Sequence, residues 1–278
     1  MREGLLVSVA IAVLVGPGVR AGSSTPFRLG QGGSVVVAAA LNGQGPFFML
    51  LDTGATHSAI TESAARRIAA RPVARSSILT ATGPTVRTVV SLETLGLGPV
   101  VARNVLPSVV ADGAFDRNGD VHGLIGQDVL AQLRYTLDFR EHTVEWHDGS
   151  PEAVSGTRLS LVLEHGRFLV DLPQRGQRLR LVPDSGAEGF VLFGRSARES
   201  LAITEMGETV ELATADAKRP ARIVRLREFR LGERTLRDVR AVAIDRGELH
   251  PAEGDGLLPL HFFERVTFDG PGRLLILG

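Results

Sequence analysis

Apolar positions along this chain gather in short, often β-branched runs bounded by Gly, Pro or Asn, among them Val35 to Leu41, Phe47 to Leu51, Val86 to Leu92, Val105 to Val110 and Ile223 to Leu226. Runs this short, cut by turn residues, predict strands rather than helices. Helical spacing stands out at two places only. At Thr61 to Ala70 an apolar stripe of Ala64, Ala65, Ile68 and Ala69 follows a capping Thr61, and a second segment lies at Ser196 to Ala202. The expected fold class is all-β with short helices.

The pattern then repeats. Val35 to Leu41, a turn at Asn42-Gly43 and Phe47 to Leu51 lead into Asp52-Thr53-Gly54-Ala55. Phe168 to Leu172, a turn at Arg175-Gly176 and Arg178 to Val182 lead into Asp184-Ser185-Gly186-Ala187. Both are hairpins that deliver an Asp just past a strand end. Leu95-Gly96-Leu97-Gly98 with Arg103-Asn104-Val105 matches Phe229-Arg230-Leu231-Gly232 with Arg237-Asp238-Val239. Gly98 follows Asp52 by 46 positions and Gly232 follows Asp184 by 48. Gly123-Leu124-Ile125-Gly126 matches Gly256-Leu257-Leu258-Pro259, at 71 and 72 positions from the respective aspartates. Landmarks that keep step in this way predict a duplication, hence two pseudo-twofold-related lobes. The expected organisation is a leader over residues 1–21, an N-terminal lobe over 26–148, a turn-rich linker over 149–156 and a C-terminal lobe over 157–278.

Composition narrows the chemistry. The 278 residues are 44% hydrophobic and 22% charged, enough to bury a sizeable core. There is no cysteine, which excludes thiolate nucleophiles, cysteine-ligated zinc and iron–sulfur clusters. Lys+Arg and Asp+Glu both total 31, so nothing in the charge balance points to nucleic acid. At the N-terminus, Met1-Arg2-Glu3 precedes an apolar run from Gly4 to Val15 and the small-residue site Val19-Arg20-Ala21. That run is shorter than the roughly 20 residues a membrane span requires, so it is expected to be an export signal and the protein periplasmic or secreted. No stable membrane span is expected after its removal.

A lone Asp-Thr-Gly is an ordinary turn, but two at equivalent places in a duplicated chain are a different matter. Each Asp leaves an apolar strand, where an unpaired carboxylate is costly. Pseudo-twofold symmetry can bring Asp52 and Asp184 together, and two adjacent carboxylates share a proton, which makes one an acid and the other a base. Such a pair can activate water against a peptide carbonyl without a covalent intermediate. Gly54 and Gly186 let backbone amides approach the carboxylates, and the hydroxyls of Thr53 and Ser185 can bond across the axis.

These residues carry a family resemblance. Leu50-Leu51-Asp52-Thr53-Gly54-Ala55-Thr56-His57-Ser58 is similar to the motif that holds the nucleophilic water in retropepsin-like and pepsin-like aspartic proteases, and Gly123-Leu124-Ile125-Gly126-Gln127-Asp128 resembles the later motif that crosses behind the Asp loop. The resemblance implies an aspartic endopeptidase, a hydrolase with Asp52 and Asp184 as catalytic residues. It also implies a cleft between the lobes that takes an extended peptide or protein substrate, flap hairpins over that cleft, and no metal or organic cofactor. Candidate flap tips are Thr80 to Pro84, with Thr82 and Gly83, and Thr214 to Lys218. A monomer is expected. Gln127 stands where retropepsins often carry Arg, so a buried Arg contact is expected to be missing. Pro183 precedes the second Asp and Pro259 replaces a Gly, so the second loop is expected to be displaced.

Other readings compete. A protease fold kept as an inactive peptide-binding or scaffold module would also retain the repeat. His57 and Ser58 beside Asp52 suggest a triad, but three groups this close in one loop rarely reach the serial geometry. His142 and His147 with Asp138, Glu141 and Glu145 could suggest a metal site, yet positions five apart on a strand face opposite ways. The run Arg219 to Arg230 alternates with Ile223, Val224, Leu226 and Phe229 as a half-exposed strand does, and Trp146 and Tyr135 are expected in the core.

Overall fold

The computed structural model describes residues 12–15, 23–80, 83–116, 118–149, 154–194, 201, 203–213, 218–244 and 254–278. The first half contains β1 (Ala12–Val15), β2 (Ser23–Leu29), β3 (Val35–Leu41), β4 (Gln44–Leu51), β5 (Ala59–Thr61), α1 (Glu62–Arg67) and β6 (Arg71–Thr80). It continues through β7 (Gly83–Leu97), β8 (Val100–Val105), β9 (Ser108–Val110), β10 (Gly123–Ile125), α2 (Gln127–Leu130), β11 (Arg134–Asp138) and β12 (Thr143–Trp146). The second half begins with β13 (Thr157–Glu164), β14 (Arg167–Gln174), β15 (Gln177–Asp184), β16 (Phe190–Phe193) and β17 (Ile203–Ala213). It ends with β18 (Lys218–Leu231), β19 (Arg234–Ile244), β20 (Gly256–Pro259), β21 (Arg265–Asp269) and β22 (Leu274–Leu277). The molecule is mostly strand in two repeated lobes, as the apolar pattern predicts.

The two halves use the same pairings. β3 and β4 form a hairpin whose second strand lies parallel to β10, and β14 and β15 form a hairpin whose second strand lies parallel to β20. Between the lobes runs a shared sheet in the order β2-β12-β11-β21-β22-β13. At its centre β11 and β21 are antiparallel with Thr136 opposite Thr267, whose hydroxyl oxygens are 2.7 Å apart. The pseudo-twofold axis passes there. Arg134 meets Asp269 at 2.9 Å, and Arg265 meets Asp138 in the symmetry-related ion pair. Both aspartates are buried, so each needs its guanidinium, and the lobes are clamped by charge as well as by strand pairing. Tyr135 and Trp146 pack here in the core, Tyr135 stacked on Phe268 at 5.2 Å.

The duplication reaches single backbone angles. Gly98 and Gly232 have φ of 55° and 59°, and a Cβ on either would overlap a threonine, Thr25 in one lobe and Thr157 in the other. Asn104 and Asp238 are both left-handed as well, with φ of 58° and 54°. The matched Gly and Asn/Asp landmarks of the sequence are therefore turn positions with a conformational requirement.

Local departures from expectation have local causes. The strand expected over Val105 to Val110 is broken after Val105 and resumes as β9, because Pro107 cannot donate to a ladder; its carbonyl still accepts from Val90 N–H at 3.1 Å. In the second lobe β19 runs on unbroken. The helix expected over Thr61 to Ala70 is shorter. Thr61 caps it, its Oγ1 accepting from Ala64 N–H, but Ala69 turns left-handed at φ 48° and faces solvent, while Ala64 and Ile68 are buried. Apart from Leu201, the segment Ser196 to Ala202 lies outside the described residues. β18 alternates as expected at its centre, with Ile223, Val224, Leu226 and Phe229 buried and Arg225, Arg227 and Arg230 exposed.

Candidate active site

The site is built where β4 and β15 end. Each strand runs parallel to a partner, β10 or β20, and Asp52 N–H donates to Ile125 O at 3.0 Å. Asp52 and Asp184 emerge from these ladders half-buried, at the floor between the lobes. Asp52 Oδ1 accepts from Gly54 N–H and Ala55 N–H, both at 3.0 Å, and Asp184 Oδ1 accepts from Gly186 N–H at 2.7 Å. The two loops face each other. A Cβ at Gly54 would stand 2.7 Å from Asp184 Oδ2, and one at Gly186 would stand 3.8 Å from Asp52 Oδ1. Each carboxylate thus lies beside the other loop's glycine, and only the absence of a side chain at Gly54 leaves room for Asp184.

Behind the carboxylates, the hydroxyls exchange bonds across the axis. Thr53 Oγ1 donates to Pro183 O at 2.8 Å and accepts from Ser185 N–H at 3.0 Å. Ser185 Oγ donates to Leu51 O and accepts from Thr53 N–H at 3.1 Å. Both side chains are fully buried, so the four backbone groups they satisfy would otherwise be orphaned. This reciprocal arrangement needs a hydroxyl immediately after each Asp, and the repeated Asp-Thr/Ser supplies it.

Electrostatics follow from the geometry. Burial raises the Asp52 carboxyl above its ordinary range, while the amides of Gly54 and Ala55 and the Arg167 charge pull it back. Asp184 is pushed up to about 7, first by burial and then by the negative charge of Asp52, against the opposing pull of Gly186 N–H and Arg167. The pair therefore holds a proton into neutral pH.

A family model described as aspartyl protease matches two separate stretches, residues 37–129 and 170–262, one in each lobe and together more than half of the chain. The chain belongs to the aspartyl protease family. Among solved structures it is similar to a retropepsin-like aspartic protease from Rickettsia conorii, at 17% identity and a TM-score of 0.34, over 48% of this chain and 90% of that one. Comparison with curated proteins gives no match.

Within this aspartyl protease fold the two prolines do not displace the second Asp. The ladder alternates, so that Leu260 N–H donates to Asp184 O at 3.3 Å and the ring nitrogen of Pro183 faces away from β20. The cross-axis grip uses only the Pro183 carbonyl. Pro259 alters the turn after β20. In the first lobe Gly126 lies against the His57 backbone, where a Cβ would be 2.8 Å from the carbonyl carbon, and α2 begins after it. In the second lobe the chain makes a single turn closed by Phe263 N–H to Leu260 O.

The contact expected to be missing at Gln127 is remade. Gln127 is buried and its Nε2 donates to Thr53 O at 2.8 Å, bracing the Asp52 loop from behind. Asp128 adds to the brace, accepting from Ser58 N–H and Ser58 Oγ at 3.0 and 2.8 Å. This also disposes of a triad: Ser58 bonds to Asp128, and His57 Nδ1 lies 2.9 Å from Thr56 Oγ1. His142 and His147 do not share a strand as expected, since His142 sits in a turn at φ 54°. His147 Nε2 instead meets Thr136 Oγ1 at 2.8 Å. Of the flap candidates, Thr82 and Thr214 to Ala217 lie outside the described residues. Gly83 opens β7 opposite Thr80, so a β6-β7 hairpin does stand where the sequence puts the first flap. Arg167 went unnoticed in the sequence. Counting 17 residues back from each Asp sets it against the apolar Val35, and a charge present in one copy alone is the signal that could have found it.

Proposed function

We propose that this chain is an exported, monomeric aspartic endopeptidase in which Asp52 and Asp184 together activate the water that hydrolyses a peptide bond. The observation that carries the reading is the reciprocal Thr53/Ser185 grip, which holds two loops so that each carboxylate lies against the opposite glycine. Asp52, with two backbone amides on one oxygen, is the group suited to stay ionised and accept a proton from the water. Asp184, which bears the charge of Asp52, is suited to hold the proton and donate it toward the substrate carbonyl. Attack of the water oxygen on the carbonyl carbon gives a gem-diol. Its collapse breaks the C–N bond as a proton passes to the leaving amine, and the pair returns to one shared proton.

Support for a monomer is that both Asp loops and both halves of the central sheet come from one chain. Support for export is the leader-like pattern of residues 1–21, a charged start followed by a short apolar run and a small-residue site. Among the described residues no helix is long and apolar enough to cross a membrane.

The test is cleavage of a peptide library and of denatured protein from pH 4 to 7, by the parent, Asp52→Asn and Asp184→Asn. Cleavage by the parent that is lost in both variants is expected. Peptide binding without cleavage by the parent would favour an inactive binding module instead. N-terminal sequencing of the mature protein checks the leader.

A further inference from the structure

Among the described residues, Arg167 is a cation at the edge of the site with no hydrogen bond and no contact ion pair. It opens β14 after the turn His165-Gly166, whose φ values of 49° and 78° swing the hairpin toward the opposite lobe. There Gly166 meets the Asp52 loop, its Cβ position 3.7 Å from Thr56 Cβ. Arg167 Nε is buried and makes no hydrogen bond, and among the described residues no carboxylate lies within ion-pair distance of the guanidinium. Its natural neighbour is already taken. Glu164 stands opposite Arg167 in the hairpin register, but its carboxylate is 2.6 Å from Arg180 Nη2. The charge of Arg167 is nevertheless felt at both Asp52 and Asp184, which sets it beside the pair rather than out on the surface.

The pseudo-twofold axis shows that this charge is not required by the fold. Val37 and Val170 lie opposite Met49 and Leu181, each three residues before its Asp, so the counterpart of Arg167 is Ser34. Ser34 Oγ merely donates to Gln31 O at 3.0 Å. The asymmetry is carried further on the other side, where Glu188, the counterpart of Thr56, packs against Gly32. Of the two pseudo-twofold-related edges of the site, one thus carries a positive side chain and the other a negative one. A half-buried guanidinium with no anion in contact leaves donors unsatisfied, and a planar fork of donors matches a carboxylate.

We propose that Arg167 is a specificity-determining residue that receives a carboxylate of the peptide substrate near the scissile bond. The inference rests on the protease reading. The carboxylate is an Asp or Glu side chain or the peptide's own C-terminus, and the experiment separates the two. Peptides differing only by Glu, Gln or Lys at each position, and by a free against an amidated C-terminus, are compared by kcat/KM for the parent, Arg167→Gln, Arg167→Lys and Arg167→Glu. The parent is expected to favour one acidic member by about tenfold or more, the usual worth of a hydrogen bond to a charged group. Arg167→Gln should bring that ratio to about one, Arg167→Lys should keep part of it, and Arg167→Glu should reverse it toward Lys-containing peptides. A ratio near one in the parent, or one unchanged in Arg167→Gln, overturns the proposal.

The same ratios are measured as binding by fluorescence anisotropy in Asp184→Asn and in Asp184→Asn/Arg167→Gln, with circular dichroism confirming the fold. Carboxylate-selective binding lost with Arg167, in a parent that cleaves nothing, would sink the protease reading and leave this inference standing. Cleavage without carboxylate preference would do the reverse.

Discussion

Removing the hydroxyl of Thr53 should unfasten the site from behind while leaving both aspartates in place. Thr53 Oγ1 gives its one proton to Pro183 O and accepts from Ser185 N–H, while Ser185 Oγ gives its proton to Leu51 O, so the 3.3 Å approach of the two hydroxyls has no proton left to bridge it. Thr53→Ala therefore orphans a buried carbonyl and a buried amide. At about 1–3 kcal/mol for each unsatisfied group, the loss is about 2–6 kcal/mol. Ser185→Ala orphans a different pair, Leu51 O and Thr53 N–H, and should cost about as much. Because the two residues bond to each other in one network, the double variant should depart from the sum of the two by about 0.5–3 kcal/mol. Thr53→Ser keeps the hydroxyl and should lie within about 1 kcal/mol of the parent, losing only a buried methyl. Urea denaturation at neutral pH, followed by far-UV circular dichroism and tryptophan fluorescence, measures all four. A Thr53→Ala variant as stable as Thr53→Ser would refute the reasoning, since it would mean the hydroxyl satisfies nothing.

Three further outcomes are expected. Asp184 holds its proton more tightly in the folded chain, up to about 7 against the ordinary 3.8, so its contribution to stability is present at acid pH and is lost as pH rises from about 4 to 7. Asp184→Asn should remove that decline and be more stable than the parent at pH 8. The ceiling is about 4 kcal/mol, reduced to roughly 1–2 kcal/mol because water reaches the half-buried group; parallel pH curves for the two proteins would contradict it. Gly98→Ala and Gly232→Ala each combine a left-handed backbone with overlap against a threonine, and should lower stability by about 2 kcal/mol or more in thermal melts. Pro183→Ala should leave the melting temperature within a few degrees of the parent, because the nitrogen it restores faces away from β20; a large gain would show that an amide was wanted there.

Much of this molecule was legible in one dimension because duplication writes the same physics twice. A solitary Asp-Thr-Gly could be any turn, but two such triplets after apolar hairpins, with Gly98 and Gly232 in step behind them, required two similar lobes. Residue chemistry alone marked Thr53 and Ser185, since only a hydroxyl at that place can serve a loop across an axis. Linear order could not reveal what depends on direction in space. Whether Pro183 was harmful turned on which way a ladder nitrogen points, a property of the β15-β20 pairing. Gln127 looked like a lost contact until the fold set its amide 2.8 Å from Thr53 O. Arg167 lies 115 residues from Asp52 in sequence, and only the closing of the two lobes brings its charge to bear on that carboxylate. Sequence determines which groups are available and where strands begin and end. Tertiary structure decides which groups meet, because burial and distance set the strength of every charge and hydrogen bond, and neither exists until the chain has folded.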